Sequence, residues 1–251
     1  MTKPITSQTQ SSEKALAVRQ KLFDLFAARA LPDEELMVNL SLYMRSGVLA
    51  KMLFLNEMYE KIIKLPGVIM EFGVWRGQSI VLFENLRAVH EPYNHSRRIY
   101  GFDTFDGYPE IGEHDKRSDI ISENTYAVGA DYVSYLEELI DYHEQENVMS
   151  HIKKHSLIKG DASITCPQLF KDRPETLVAM AYFDMALYKP TKACLEVILP
   201  RMVKGGIIVF DELCHPDYPG ETQAFMETIG PQRFTMTRSR FLPDRVFVTI
   251  G

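Results

Sequence analysis

The sequence predicts an α/β fold: a mostly parallel sheet of seven strands, closed by an antiparallel last strand and preceded by N-terminal helices. Three observations predict it. Short apolar runs alternate with amphipathic helical stretches from Pro66 onward. One run, LVAMAYFDMA at 177–186, is apolar almost throughout, as a strand covered on both faces must be. The last two runs, RFTMTRS and DRVFVTIG, are separated only by RFLPD, too short for a crossover helix, so they pair as a hairpin.

The elements follow in order. Residues 1–13 are rich in Ser, Thr and Gln and are expected to be a disordered tail. Residues 14–64 read as a helical extension. KALAVRQKLFDLFAARA has apolar residues at helical spacing, and a second helix starts near Asp33, where Glu34 and Glu35 suit a helix N-terminus. That helix continues to Lys64, with a break expected at Ser46-Gly47. The main domain spans 65–251. GVIMEFGV is its first strand, SIVLFENLRAVH a helix and RRIYGFDTF the second strand. Residues 106–130 mix Gly, Pro, Asp and His without periodicity and read as a lid. DYVSYLEELIDYHEQENV is a helix and HSLIKGDA the third strand, followed by a short helix from Pro167 to Lys171. After the fourth strand come the helix TKACLEVILPRMV, the fifth strand GGIIVFDEL and the helix GETQAFMETIG.

Composition narrows the function. With 251 residues, 45% of them hydrophobic, the chain has material for one large core. A net charge of -6 disfavours broad nucleic-acid binding, which needs surplus Lys and Arg, and an anionic membrane surface as well. No apolar run reaches the roughly 18 residues of a membrane span. The N-terminal stretch is polar and lacks an apolar signal core, so cytoplasm is the expected location. The three cysteines, Cys166, Cys194 and Cys214, show no CxxC spacing and read as free thiols.

Chemistry-bearing residues collect where the strands end, the usual ligand side of such a sheet. The first strand runs into Glu71-Phe72-Gly73-Val74-Trp75-Arg76-Gly77-Gln78-Ser79. Gly73 and Gly77 let backbone approach a ligand, and Ser79 can cap the following helix. The spacing is G-x-x-x-G rather than the tighter G-x-G-x-x-G that a pyrophosphate wants. S-adenosylmethionine carries no phosphate and is served by the looser turn. The second strand ends in Asp103-Thr104-Phe105, whose carboxylate can accept from a ribose diol. The third ends in Gly160-Asp161-Ala162-Ser163, where Asp161 can accept from an adenine amino group. The fourth ends in Asp184 and the fifth in Asp211-Glu212. Three converging carboxylates repel unless a cation lies between them, and Mg²⁺ with its oxygen preference fits. Each of these acids also has a plainer reading as a capping or solvated loop residue.

The motifs GVIMEFGVWRGQS, GFDTFDGYPE, FDMALY and GGIIVFDE together resemble the macrocin O-methyltransferase (TylF-like) family, from about Leu36 to Gly230. The resemblance implies a class I S-adenosylmethionine-dependent methyltransferase fold (Rossmann-like, three layers), a divalent metal, deoxysugar hydroxyls as methyl acceptors and a homo-oligomer in contact through the N-terminal helices. Carried over, Glu71 to Gly77 hold the methionine part of the cofactor, Asp103 with its neighbours the ribose, and Gly160 to Ser163 the adenine. Asp184, Asp211 and Glu212 are the metal ligands. Arg45 and Ser46 fall where the family approaches the cofactor carboxylate. Two departures stand out. The family has Asp-x-Asp-x-Tyr after the fourth strand, whereas Ala186 replaces the second Asp here, the usual proposed base. Glu212 replaces an Asp.

With Ala186 in that position, His215 is the first candidate for the catalytic base, water on the metal being the other option and an exposed loop histidine the plainer reading, and Asp184 is the residue beside the reacting centre. Tyr108, His114 and Tyr126 stand in the lid where an acceptor would lie, with Lys116 and Arg117 as partners for a diphosphate; loop packing and solvated charge are the plainer accounts. A catechol-type O-methyltransferase, a nicotinamide-dependent oxidoreductase and a non-catalytic cofactor-binding protein remain alternatives.

Overall fold

The computed structural model describes residues 12–108, 111–116 and 125–251. The chain divides into two compact units, 1–52 and 53–251.

The first unit is helical. In α1 (Glu13–Ala27) the Ser12 hydroxyl caps the first turn by accepting the Ala15 N–H at 3.3 Å. Residues 12 and 13 therefore belong to a helix and not to the expected tail, whose residues 1–11 lie outside the described residues. After α2 (Asp33–Val38) a tight turn at Leu40–Tyr43 precedes α3 (Ser46–Ile62). The break expected at Ser46-Gly47 thus falls earlier, from Asn39 to Arg45, and Ser46 opens a helix. The Asn39 amide donates back to the Glu35 carbonyl at 2.8 Å, the local competition with helix bonding that favours termination.

The second unit carries the sheet: β1 (Val68–Phe72), β2 (Ile99–Asp103), β3 (His155–Lys159), β4 (Val178–Phe183), β5 (Met202–Phe210), β6 (Thr235–Arg238) and β7 (Val246–Thr249). Their order is β3-β2-β1-β4-β5-β7-β6. The first five are parallel, and β7 runs antiparallel between β5 and β6, so the hairpin is as expected. Connecting helices are α4 (Gln78–His90), α5 (Ala130–Glu146), α6 (Ala162–Asp172), α7 (Tyr188–Ile198) and α8 (Pro219–Thr228). The C-terminal half of α3 packs with α4 and α5 on one face of the sheet through Phe54, Phe83 and Leu136. α6, α7 and α8 cover the other through Phe170, Leu195 and Phe225. This is the three-layer arrangement the sequence predicts. Among the described residues no helix is long and apolar enough to cross a membrane.

Helix boundaries in this unit also differ from expectation, most clearly in α6 and α7. α6 begins at Ala162 rather than Pro167. A proline favours a first turn, but the Asp161 side chain caps the Ser163 N–H at 2.8 Å, and Ala162, Cys166 and Phe170 bury one stripe across the proline. α7 stops at Ile198, before Pro200, and Met202 already belongs to β5.

A row of phenylalanines closes the strands near their carboxyl ends. Phe102, Phe72, Phe183 and Phe210 are register partners across β2, β1, β4 and β5. Their rings stack at 4.9, 4.6 and 5.5 Å, each pair contributing about 0.5–1.5 kcal/mol beyond area burial. The row fixes the level at which the four strands stop, and so the level from which the following residues project. Elsewhere, buried Arg87 pairs with Glu84 and Glu144, and wholly buried Lys154 also pairs with Glu144.

Immediately beyond β1, Gly73 adopts φ +94°, and a Cβ there would lie 2.0 Å from the Asp184 carbonyl oxygen. Gly73→Ala adds a left-handed penalty and a main-chain clash, together about 2–5 kcal/mol. Urea unfolding should show a lowered midpoint with an unchanged slope; an unaltered midpoint would refute this close approach.

Candidate functional site

Each strand-end segment is pinned to its neighbour by one ladder bond past the strand. Gly73 N–H donates to Phe102 O (2.9 Å), Gly160 N–H to Asp103 O (2.9 Å), Asp184 N–H to Phe72 O (2.8 Å) and Asp211 N–H to Phe183 O (3.0 Å). The residues singled out in the sequence therefore share one rim. In the turn after β1, Glu71 is buried, Val74 packs in the core, and Gly77 (φ +80°) is the N-cap of α4. Ser79 is not the cap expected; it lies inside the helix and is buried, because the left-handed turn is made by the glycine.

Asp103 joins two turns. Its Oδ2 accepts the Trp75 N–H at 2.7 Å and its Oδ1 the Phe105 N–H at 2.6 Å. Both donors have positive φ, 47° and 59°. Burial raises the Asp103 pKa above its ordinary value, against the pull of these N–H groups. Thr104 closes the next turn on the Gly107 carbonyl at 2.7 Å. Asp161 caps α6 with one oxygen, so the plainer reading of this acid holds at least in part. Arg45 and Ser46 lie in the first unit, where the Arg45 carbonyl accepts from Val48 and Leu49 at the start of α3.

Asp184, Asp211 and Glu212 come together: one ligand oxygen from each lies within 4.8 Å of the others. Glu212 Oε2 is buried without a hydrogen-bond partner among the described residues. Burial first, and then Asp211, Asp184 and Glu221, push the Glu212 pKa well above the carboxylate range. Such a donor set, all hard oxygen and excess negative charge, suits a divalent cation. The other acidic group of this kind, Glu84, Glu144 and His155, stands among Arg87 and Lys154, so its charge is balanced by the chain itself.

Three residues that the sequence reading passed over shape the cluster. Tyr182 donates its hydroxyl proton to Asp211 at 2.7 Å, with Asp184 3.3 Å from the same oxygen; burial and those charges keep it protonated. Its position two residues before Asp184 puts both on one side of β4, a legible signal hidden in an apolar run. Arg245, just before β7, pairs with Asp211 at 2.5 Å. Glu221, in the first turn of α8, is wholly buried and accepts the Glu212 N–H at 2.8 Å. No local pattern announces either of the last two.

His215 is exposed, and its Nδ1 accepts the Asp217 N–H at 3.2 Å while its ring tilts against Tyr218. It is not among the residues whose ligand atoms cluster. Of the lid, Tyr108 packs with Ile111, Leu187 and Tyr218, and Tyr126 meets both Trp75 and Tyr108 edge-on at 5.5 Å. His114 lies 4.2 Å from the Tyr188 ring, and Lys116 pairs with Asp217 at 2.5 Å. Arg117 lies outside the described residues. Asp115 is the anchor: it accepts the Tyr188 N–H at the start of α7 and the Gly112 N–H, at 2.8 and 2.9 Å. Gly220 makes room for it, since a Cβ there would lie 2.0 Å from Asp115 Oδ1.

Comparison with known proteins follows this geometry. The profile of the macrocin-O-methyltransferase (TylF) family matches residues 46–228. A crystal structure of CalS11, described as a calicheamicin methyltransferase, superposes with a TM-score of 0.93 at 36% identity, covering 99% of this chain and 97% of that one. An apo structure of CalS11, described as a TDP-rhamnose 3'-O-methyltransferase of calicheamicin biosynthesis, gives 0.85 at 34% identity, covering 99% and 100%. A tetracenomycin-C rhamnosyl 4'-O-methyltransferase from Streptomyces olivaceus is 26% identical over 152 residues, 59% of this chain and 53% of that protein. The match thus spans about half the length of the curated relatives.

Asp115→Ala removes the acceptor of two main-chain donors on separate elements. Losing a charged-acceptor bond of about 1.5 kcal/mol corresponds to roughly tenfold faster opening. Hydrogen exchange should accelerate by that order at both Gly112 and Tyr188; acceleration at Gly112 alone would mean that the segment is not anchored on α7.

Proposed function

The chain belongs to the macrocin-O-methyltransferase family, and from that premise we propose that it is an S-adenosylmethionine-dependent O-methyltransferase acting on a hydroxyl of a nucleotide-linked deoxysugar in natural-product biosynthesis. The carboxylate trio beside the glycine turn carries this reading. The likeness to CalS11 along nearly the whole chain supports a sugar of the 6-deoxyhexose class as the acceptor.

In this reading Glu71 to Gly77 hold the methionine part of the cofactor, the open backbone at Gly73 and Gly77 allowing close approach. Asp103, with Thr104 and Phe105 beside it, takes the ribose diol, using lone pairs its two N–H bonds leave over. Gly160, Asp161, Ala162 and Ser163 line the adenine. The cofactor supplies a methyl group already activated on sulfur, so the protein's task is to place an oxygen in line with it.

Asp184, Asp211 and Glu212 would hold a divalent ion, Mg²⁺ by their oxygen chemistry, and Asp184 would also face the cofactor. When bound, such an ion orients and acidifies a neighbouring hydroxyl. Tyr182 and Arg245 hold Asp211 in place for that. His215 is proposed to take the proton, which requires its ring to release the Asp217 N–H. The aromatic lid residues Tyr108 and Tyr126 would shield the acceptor from water. Self-association is proposed through the N-terminal helices, where Val18, Phe23, Leu25, Met37, Val38 and Leu42 are exposed; a monomer by light scattering would remove that part.

Purified protein with methyl-labelled cofactor should label TDP-linked 6-deoxyhexoses and not catechols. Labelling of catechols alone would overturn the sugar assignment. In the same assay, chelation should cut turnover more than about tenfold, with recovery on adding Mg²⁺, and His215→Ala should alter both rate and pH profile. Unchanged turnover on chelation would discard the ion, and an unchanged pH profile would discard His215.

The pH dependence of cofactor affinity tests Asp103. Its ionised form accepts the diol, and its pKa is raised above the ordinary 3.8. Affinity should therefore fall on acidification at a pH above that ordinary value, whereas Asp103→Asn should bind weakly with no such dependence. A wild-type affinity flat down to the ordinary aspartate range would count against the role.

A further inference from the structure

Two of the three clustered carboxylates sit in the turn after β5, and this turn is held chiefly from outside the sheet. Past the Asp211 ladder bond, the Glu212 N–H goes to Glu221 Oε2 and the Cys214 N–H to Thr222 Oγ1, each at 2.8 Å. The two acceptors are consecutive residues in the first turn of α8. Between them the chain turns sharply, with Cys214 at φ +67°. A left-handed residue other than glycine persists only where its surroundings over-determine it.

Glu221 is a costly choice of anchor. It is 0% exposed and lies close to Asp211 and Asp184, and burial and those two neighbours push its pKa well above the carboxylate range. Its place near a helix N-terminus accounts for an acidic residue. An exposed one would serve that purpose equally, so the helix dipole does not account for the burial or for the bond to Glu212. The bond instead ties a main-chain position of the β5 turn to α8, which suits a position that must not drift.

We propose that Glu221 is a positioning residue that tethers the main chain of Glu212, so that the Glu212 carboxylate stays aimed at an ion shared with Asp184 and Asp211. The proposal rests on reading those three residues as a cation site. The acceptor oxygen, rather than direct ligation, is what the role requires. Glutamine keeps that oxygen; methionine has similar length and flexibility without it.

Mn²⁺, a hard oxygen-preferring ion, serves as the probe in a spin-resonance titration of the full chain without acceptor, with cofactor binding followed separately by calorimetry. Glu221→Met should weaken Mn²⁺ binding at least thirtyfold and Glu221→Gln at most about fivefold, with cofactor affinity in both within threefold of the parent. If the Met variant also loses cofactor binding, Glu221→Ala replaces it under the same expectation. Parent-like Mn²⁺ affinity in the apolar variant overturns the tether. A Gln variant as weak as the apolar one overturns it too, in favour of direct ligation. A parent that binds cofactor but no Mn²⁺ removes the cation site and this role, leaving the methyltransferase reading intact.

Discussion

The rim of this sheet depends on a single carboxylate bridging two strained turns. Asp103 accepts from Trp75 and Phe105, and each donor is held left-handed at a cost of about 1–2 kcal/mol. Were the carboxylate absent, both N–H groups would lose their acceptor and the turns their reason to bend. The turn after β1 and the turn after β2 are therefore one unit, and the glycine-rich segment inherits its shape from the neighbouring strand. The same pattern recurs at Ala186 and Cys214, also left-handed, after β4 and β5. Strain stored at four strand ends, each backed by a stacked phenylalanine, gives a rigid floor under a bent rim.

Charge is handled differently inside the protein and at the rim. On the α4–α5 side, buried Arg87 pairs with buried Glu84 and Glu144, and buried Lys154 with Glu144. At the rim, Arg245 reaches Asp211, and Tyr182 gives its hydroxyl proton to Asp211 beside Asp184. Glu212 Oε2 has no hydrogen-bond partner among the described residues, and Arg245 offsets its charge only in part. Burial first, and then the neighbouring carboxylates, raise its pKa.

Much of the fold was legible because the first five strands are short runs, mostly apolar, that end in or run into Gly or an acid, and the rim acids declared themselves by position. Misplaced boundaries trace to local signals overruled by packing. Pro167 reads as a helix start, but the buried stripe of Ala162, Cys166 and Phe170 runs through it. Ser46-Gly47 reads as a break, but Asn39 ends the preceding helix first. Within the site, Asp184, Asp211 and Glu212 were visible in the sequence and do come together. Glu221, Arg245 and Asp115 were not, because each acts on a residue distant in sequence and only the topology brings them together. Tyr182 was concealed by looking like core.

The insertion of β7 between β5 and β6 has a consequence for assembly. Among the described residues β6 pairs only with β7, so it joins the sheet through residues 246–249. Arg245 arrives in that same step. A folding chain must therefore carry its acidic rim without the guanidinium until the final strand slots home, and the pocket is complete only once that pairing has formed.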